Sequence, residues 1–167
     1  MEIVDKLDKR KEPLNKKSDR YERIDGEYCQ YVHVCIMNDK NEFLLQKRSP
    51  SKKIYPNMWS QTGGAVDSGE TSLQGALREV KEELGIDLNK DNMEFMLSFK
   101  RYHSFVDVWL AKQNVDLKDV VMQKEEVSDV KWVNKDELKR MIDDKEVSGS
   151  VNLYYEMLID LIENFSK

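Results

Sequence analysis

The sequence predicts an α+β domain, most simply an α/β/α sandwich around a mixed β-sheet. Segments rich in Val, Ile, Tyr and Phe stand before, between and after segments with helical periodicity, which favours this fold class. Apolar residues make up 40% of the 167 residues, enough to bury a core within one domain. We therefore expect residues 1–167 to form a single domain that begins with a polar leading segment, residues 1–27.

The leading segment is dense in Lys and Arg interleaved with acidic residues. This composition is typical of solvated surface, and we expect an edge hairpin that turns near Pro13 to Asn15. Two functional alternatives stay open for it. One is an arm that contacts substrate phosphates, and the other is an arm that contacts a second copy of the chain in a homodimer.

The other elements follow from local patterns along the chain. A capping-box pattern at Thr71 and Gln74, an apolar stripe, and Gly85 as a stop predict a helix over residues 71–84. Asn134 is a predicted N-cap for a second helix, which ends near residue 141. Strands are predicted at residues 28–37, 43–47, 94–102, 105–112 and 129–133, the first two joined as a hairpin, and a terminal amphipathic helix at Leu153, Met157, Leu158, Leu161 and Ile162.

Charge and cysteine content exclude several classes of function. The net charge of −5 disfavours binding to a nucleic-acid polymer or a membrane surface, and no apolar run reaches 18 residues, so we expect a cytoplasmic protein. Cys29 and Cys35 lie on one predicted strand, too far apart for a disulfide. With His33 and His103 as the only histidines, a structural zinc site is not expected.

The predicted helix over residues 71–84 carries the chemistry. Glu79, Glu82 and Glu83 fall within a sector of about 100° beside the apolar stripe, since each residue turns the helix by about 100°. Like charges at this spacing repel one another. A bound Mg²⁺, which prefers carboxylate oxygens as ligands, would offset this repulsion with its positive charge. The preceding Arg78 could hold Glu79, and Gly63 and Gly64 permit a close approach of the backbone.

The segment GAVDSGETSLQGALREVKEELGI, residues 64–86, resembles the Nudix box at every defining position. The resemblance implies a Nudix α/β/α sandwich in which the box forms a loop–helix–loop. It also implies hydrolysis of a diphosphate linkage in a nucleoside diphosphate derivative or a similar small phosphorylated metabolite, with Mg²⁺ or Mn²⁺ as the cofactor. A non-catalytic nucleotide-binding module is the alternative from another functional class.

The resemblance also implies roles for individual residues. Glu79, Glu82 and Glu83 would bind the metal, Arg78 would hold Glu79, and all four count as catalytic residues. Glu70 would have an outer, partly structural role, and Gly64 and Gly85 would shape the loops at the two ends. The general base stays open between two pairs of residues, with Glu82 or Glu83 preferred over Glu125 or Glu126.

Beyond the box, the order of motifs is similar to the isopentenyl diphosphate isomerase branch of the superfamily. The isomerases carry a Cys just before the box and a His beside it, whereas this chain has Thr62-Gly63-Gly64-Ala65. These departures favour an isomerase-like hydrolase over an isomerase. For the substrate, a small-molecule diphosphate, the predicted contacts are Arg48, Gly63 and Gly64. We expect His33 and the three tryptophans, Trp59, Trp109 and Trp132, to serve packing.

Overall fold

The computed structural model describes residues 1–165, which form nine strands, four α-helices and two short 3₁₀ helices. The strands are β1 (Ile3–Leu7), β2 (Pro13–Asp19), β3 (Cys29–Met37), β4 (Phe43–Arg48), β5 (Trp59–Ser60), β6 (Thr62–Ala65), β7 (Met93–Lys100), β8 (Ser104–Lys112) and β9 (Val127–Val133). The helices are α1 (Ser72–Leu84), α2 (Lys135–Asp143), α3 (Gly149–Asn152) and α4 (Tyr155–Phe165). The predicted strands and helices are thus present, with bounds shifted by a few residues.

Seven strands form a mixed sheet, in which β3 and β8 are parallel and the other pairs are antiparallel. The predicted hairpin of β3 and β4 is paired only beside its turn, at Ile36 with Leu44 and Met37 with Phe43. Further along, the segment 59–65 enters between the two strands, with β5 on β4 and β6 on β3. Gly63 and Gly64 therefore lie within the sheet.

Helices cover both faces of this sheet, which confirms the predicted sandwich. On one face, Val32, Val34 and Ile36 of β3 pack with Ala76, Val80 and Leu84 of α1. On the other face, Cys35 and Met37 pack with Leu138 and Met141 of α2 and with Tyr155 and Leu158 of α4. Alternate residues of β3 point to opposite faces, so one strand contributes to both apolar layers.

The leading hairpin differs from the prediction in two ways. Its turn lies between Asp8 and Glu12, where the Asp8 amide bonds the Glu12 carbonyl at 2.8 Å, so the predicted turn near Pro13 to Asn15 is wrong. The Asp8 carboxylate accepts from the amides of Arg10 and Glu12, and this side-chain acceptor stabilises the earlier turn. The hairpin also forms a separate two-stranded sheet rather than an edge of the main one, joined to it near Tyr28.

The hairpin is only partly solvated, because one side of β1 is buried. Val4 is fully buried against Cys29 and Ala65, and Lys6 is 2% exposed, with its ammonium group donating to the Glu22 carbonyl. Across residues 1–165, no helix is both long enough and apolar enough to span a membrane.

Candidate active site

Helix α1 is fixed at both ends by the residues that the sequence indicates. The Thr71 hydroxyl accepts from the Gln74 amide, and the Gln74 side chain accepts from the Thr71 amide, which confirms the capping box. Gly85 ends the helix in the left-handed region, with φ at +69°. A Cβ at residue 85 would lie 2.8 Å from Val121 Cβ, so glycine also permits close packing of the loop that follows β8.

Arg78, in the middle of α1, is the centre of an ion-pair network that joins the helix to the loop before it. Its Nε and Nη2 donate to the two oxygens of Glu70 at 2.9 and 3.0 Å, and Nη2 also donates to the Ala65 carbonyl. Its Nη1 donates to Glu79 Oε1 at 2.9 Å and to Glu82 Oε2 at 3.1 Å. Although burial opposes it, the Glu70 and Glu79 carboxylates raise the pKa of Arg78. The guanidinium therefore links the box loop to two of the three predicted metal ligands.

The Glu79 carboxylate lies directly against the backbone of the sheet. A Cβ at residue 64 would be 2.3 Å from the Glu79 carboxyl carbon, and one at residue 63 would be 2.4 Å from the Val32 carbonyl oxygen. Both glycines are thus required for close approach and not for unusual φ angles, because β6 is regular strand here. Burial raises the pKa of Glu79 to about 6, against the opposing effect of Arg78.

Glu83 has a different partner, which the sequence analysis did not identify. Its Oε2 accepts from Gln46 Nε2 at 2.6 Å, and Gln46 Oε1 accepts from the Thr62 hydroxyl at 2.8 Å. Burial raises the pKa of Glu83 to about 8, because a neutral amide offsets little of the cost of ionisation. The available signal in the sequence was Gln46, a polar residue directly after the apolar run Phe43-Leu44-Leu45. An amide that is buried with such residues needs a hydrogen-bond partner.

The three glutamates retain oxygens that suit a divalent cation. Within residues 1–165, Glu79 Oε2, Glu82 Oε1 and Glu83 Oε1 make no hydrogen bond, while the other oxygen of each carboxylate is held by Arg78 or Gln46. Such free carboxylate oxygens are the hard ligands that Mg²⁺ and Mn²⁺ take. No three acidic, histidine or cysteine side chains of the described chain already surround one point. Glu82 is half exposed and can turn toward such a point.

Two loops lie beside the Glu83 end of the helix. The loop before β9 is tied to the helix by the Gln123 amide, which donates to the Glu83 carbonyl at 2.9 Å. In this loop Glu125 is exposed, whereas Glu126 pairs with Lys52 at 2.5 Å and raises the pKa of Glu83 further. The loop before β5 follows Arg48, the last residue of β4, whose Nε donates to the Ile54 carbonyl at 3.0 Å. Arg48 thus organises the loop that follows it.

The histidine and cysteines lie away from these carboxylates. His33 points to the opposite face, where its Nδ1 pairs with the Tyr154 hydroxyl at 2.9 Å, and burial lowers its pKa to about 3. This confirms that His33 serves packing. The three tryptophans are each partly buried against the two apolar layers. Cys29 and Cys35 are buried free thiols.

Known proteins resemble this chain over most of its length. The family model of the NUDIX domain matches residues 28–153. An uncharacterized Nudix hydrolase of Listeria innocua is 40% identical over 143 residues, spanning 84% of this chain and 85% of that protein. The crystal structure of DR0079 from Deinococcus radiodurans superposes with a TM-score of 0.74 at 24% identity, covering 90% of this chain and 94% of that one.

The isomerase-like order of motifs also has a counterpart among relatives. An isopentenyl-diphosphate delta-isomerase of Gibberella zeae is 30% identical over 138 residues, which is 66% of this chain and 53% of that enzyme. The similarity to Nudix hydrolases is higher and covers more of the chain. The chain therefore belongs to the NUDIX family, as a hydrolase that acts on pyrophosphate bonds.

Proposed function

We propose that the protein is a divalent-metal-dependent Nudix diphosphohydrolase, with Mg²⁺ as the ion and Mn²⁺ as a substitute. Its substrate would be a nucleoside diphosphate derivative or a similar small phosphorylated metabolite. The observation that carries this proposal is the arrangement of Glu79, Glu82 and Glu83 on one helix, each with a free oxygen. A non-catalytic nucleotide-binding module is disfavoured, because no box carboxylate is lost.

The chain's own residues would divide the work of hydrolysis. Glu79, Glu82 and Glu83 would hold the metal, and a bound divalent cation supplies Lewis-acid stabilisation to the phosphate oxygens. Arg78 keeps Glu79 and Glu82 in place through its two Nη1 contacts. Gly64 leaves room for the Glu79 carboxylate, and Gln46 orients that of Glu83. Fixing these groups before substrate binds reduces the reorganisation that the reaction needs.

The general base for the attacking water comes from the box helix in our proposal, as Glu82 or Glu83. Glu82 is the more exposed of the two, so water reaches it more readily. The second choice, Glu125 or Glu126, is supported by the contact of their loop with the end of α1. Replacing Glu125 and Glu126 by Gln, each in its own variant and both together, separates these choices, because loss of the base lowers kcat by about 100-fold or more.

Substrate contacts are proposed at Arg48, Gly63 and Gly64. The Nε of Arg48 donates to the loop that follows β4, and its terminal nitrogens have no hydrogen bond within residues 1–165, so they remain available to a phosphate. The backbone of β6 at Gly64 lies beside the Glu79 carboxylate, and Gly63 precedes it in the same strand. A diphosphate held between these groups would lie next to the proposed metal ligands.

The test is hydrolysis of nucleoside triphosphates, nucleotide sugars, dinucleoside polyphosphates and isoprenoid diphosphates with Mg²⁺ present, followed by chromatographic separation of the products. The wild type is compared with Glu82→Gln and with Glu156→Gln, an exposed glutamate of α4 that serves as the matched control. We expect one substrate class to be hydrolysed by the wild type and the control only. Full hydrolysis by Glu82→Gln would contradict the metal assignment.

The same panel distinguishes the isomerase and binding alternatives. Isopentenyl diphosphate is followed for both phosphate release and movement of its double bond. Double-bond movement without phosphate release would support the isomerase that the Gibberella zeae relative suggests. Tight binding of one compound without turnover would support the binding module.

A further inference from the structure

The leading hairpin, strands β1 and β2, lies outside the part of the chain that the NUDIX domain model matches. It nevertheless contacts the loop at the start of the Nudix box, residues 64–70. The Ser68 amide donates to the Ile3 carbonyl at 2.8 Å, so β1 runs alongside this loop. The hairpin is therefore placed to act on the site that the family domain provides.

The main side-chain contact is made by Asp5 of β1. Its Oδ1 accepts from the Ser68 hydroxyl at 2.8 Å, and its Oδ2 accepts from the Gly69 amide at 2.9 Å. The hydrogen bond from the Gly69 N–H lowers the pKa of Asp5 and is the largest influence on it, whereas burial acts in the opposite direction. A carboxylate that accepts two such bonds fixes both groups, because ionised acceptors make the stronger hydrogen bonds.

The fixed residues belong to a tight turn that ends at Glu70. Gly69 has φ at +87°, and the Glu70 amide donates back to the Asp67 carbonyl at 3.0 Å. Glu70 Oε2 accepts from the Asp67 amide at 3.1 Å. The conformation of this turn therefore sets where the Glu70 carboxylate lies.

Glu70 in turn holds Arg78, through two parallel hydrogen bonds of 2.9 and 3.0 Å. The third nitrogen of the guanidinium, Nη1, holds Glu79 Oε1 at 2.9 Å. A planar guanidinium cannot shift at one edge without shifting at the other. Displacement of the turn would therefore move Glu79 through its contacts with Glu70 and Arg78.

We propose that Asp5 is a positioning residue, which orients Arg78 and Glu79 by fixing the turn at Ser68 and Gly69. This inference rests on the proposed function of the box carboxylates. It assigns the leading hairpin a role in building the site, in place of an arm that contacts substrate or a second copy.

The hairpin is anchored firmly enough to hold Asp5 in place. At its turn, Lys11 Nζ contacts the buried Asp107 Oδ1 of β8 at 2.5 Å, and Gln30 donates to the other oxygen of Asp107 at 2.5 Å. Next to Asp5, Val4 is completely buried. These two contacts bind the hairpin to the sheet on both sides of Asp5.

The experiment compares Asp5→Asn with Asp8→Asn, both in the full chain. Asn at residue 5 keeps the size of the side chain but loses one of its two acceptors, whereas Asp8 stabilises the hairpin turn without contacting the box. Hydrogen exchange of the Gly69 amide and the NMR signal of the Arg78 Nε–H report on the turn and on the guanidinium. Titration with Mn²⁺ alone reports on the carboxylates.

We expect Asp5→Asn to expose the Gly69 amide to exchange, to shift the Arg78 Nε–H signal and to weaken Mn²⁺ binding by about 10-fold. Its kcat should fall while the KM for substrate stays constant, and Asp8→Asn should match the wild type. An unchanged Arg78 signal in Asp5→Asn would overturn the proposal, as would equal effects of both variants. If the wild type neither binds Mn²⁺ nor hydrolyses diphosphates, the proposed function fails, while the two NMR measurements still decide the role of Asp5.

Discussion

Glu79 and Glu83 lie one helical turn apart with similar burial, 8% and 6% exposed, yet their carboxylates have different partners. Glu79 is bonded to the Arg78 guanidinium, whereas the side-chain partner of Glu83 within the described part of the chain is the neutral amide of Gln46. The pKa is raised to about 6 for Glu79 and to about 8 for Glu83, in each case mainly by burial. The negative charge of Glu79 is thus partly offset by Arg78, whereas that of Glu83 is offset much less.

The comparison suggests that the two ends of the site have different tasks. At the Arg78 end, the guanidinium holds the carboxylates of Glu79 and Glu82 in place without a cation. Among residues 1–165, no positive charge is in direct contact with the Glu83 carboxylate, and a buried carboxylate without such a contact destabilises the fold when ionised. A divalent cation would supply that charge, so metal binding and folding stability should be coupled most strongly through Glu83.

The largest effect is expected for Glu83→Gln. Removing this ligand should lower hydrolysis of the identified substrate by at least about 100-fold, because the metal loses a buried carboxylate. In metal-free protein at about pH 9, the same change should raise the melting temperature, since it removes an ionised buried group. Activity is measured with Mg²⁺, and melting is followed in chelator.

Glu79→Gln is the matched variant for this prediction. It should also lose activity, but its melting temperature in chelator should rise less than that of Glu83→Gln, because Arg78 already offsets part of the cost of ionising Glu79. Equal stability changes of the same sign in the two variants would contradict the comparison between the two carboxylates.

Arg78→Lys should have the next largest effect. A lysine cannot reproduce the planar contacts to Glu70, Glu79 and the Ala65 carbonyl together, so the carboxylates lose their common support. We expect kcat to fall by about 10- to 100-fold. Arg140→Lys in α2, whose exposed guanidinium also bonds two carboxylates, is the control and should retain full activity.

Gly64→Ala should have a smaller effect, on the position of Glu79. The added methyl group would lie 2.3 Å from the Glu79 carboxyl carbon, and the side chain must move away from the sheet. We expect about 10-fold weaker Mn²⁺ binding with a folded protein. Gly75→Ala tests the specificity of this result, because its nearest contacts are a Val66 methyl at 3.2 Å and Glu70 Oε2 at 3.4 Å, an ordinary van der Waals distance that leaves the Glu70 carboxylate in place. Equal Mn²⁺ affinity of the two variants would contradict the prediction that a methyl group at residue 64 displaces the Glu79 carboxylate.

The sequence was sufficient to predict the box helix and its caps, because the residues that fix them are local. Thr71, Gln74 and Gly85 act within a few positions of one another, and the apolar stripe has a fixed period. Predictions that depend on tertiary pairing were less successful. The partner of Glu83 is Gln46, 37 positions away on β4, and the insertion of residues 59–65 between β3 and β4 brings them together.

The leading hairpin shows the same limit in another form. Its lysines look alike in the sequence, but Lys11 pairs with buried Asp107 and Lys6 is itself buried, while the β2 residues Lys16 and Lys17 are exposed. Composition cannot separate these cases, because burial of a charged side chain depends on a partner that is distant in the sequence. The turn was misplaced because Asp8 supplies its own acceptor for two amides, a local interaction that outweighed the presence of Pro13.

The smallest expected effect is the pH dependence of metal-free stability. The pKa of Glu83 is about 8 in the folded protein against an ordinary value of 4.5, so between these values only the folded state keeps the proton. Stability should therefore fall as pH rises from about 5 to 8, the direction opposite to that of a salt-bridged carboxylate. Carboxylates with a lowered pKa, such as Asp5 and Glu70, contribute stability that is lost only when the pH falls below the ordinary pKa of a carboxyl group.

Melting temperatures in chelator across this pH range test the prediction, with Glu83→Gln as the control. The variant should show a flatter dependence, since residue 83 no longer titrates. Added Mg²⁺ should raise the melting temperature of the wild type more at about pH 8 than at about pH 5, because the cation competes with the proton for the same carboxylate. A pH dependence that is identical in the two proteins would show that Glu83 is already compensated, and that the two ends of the site are electrostatically alike.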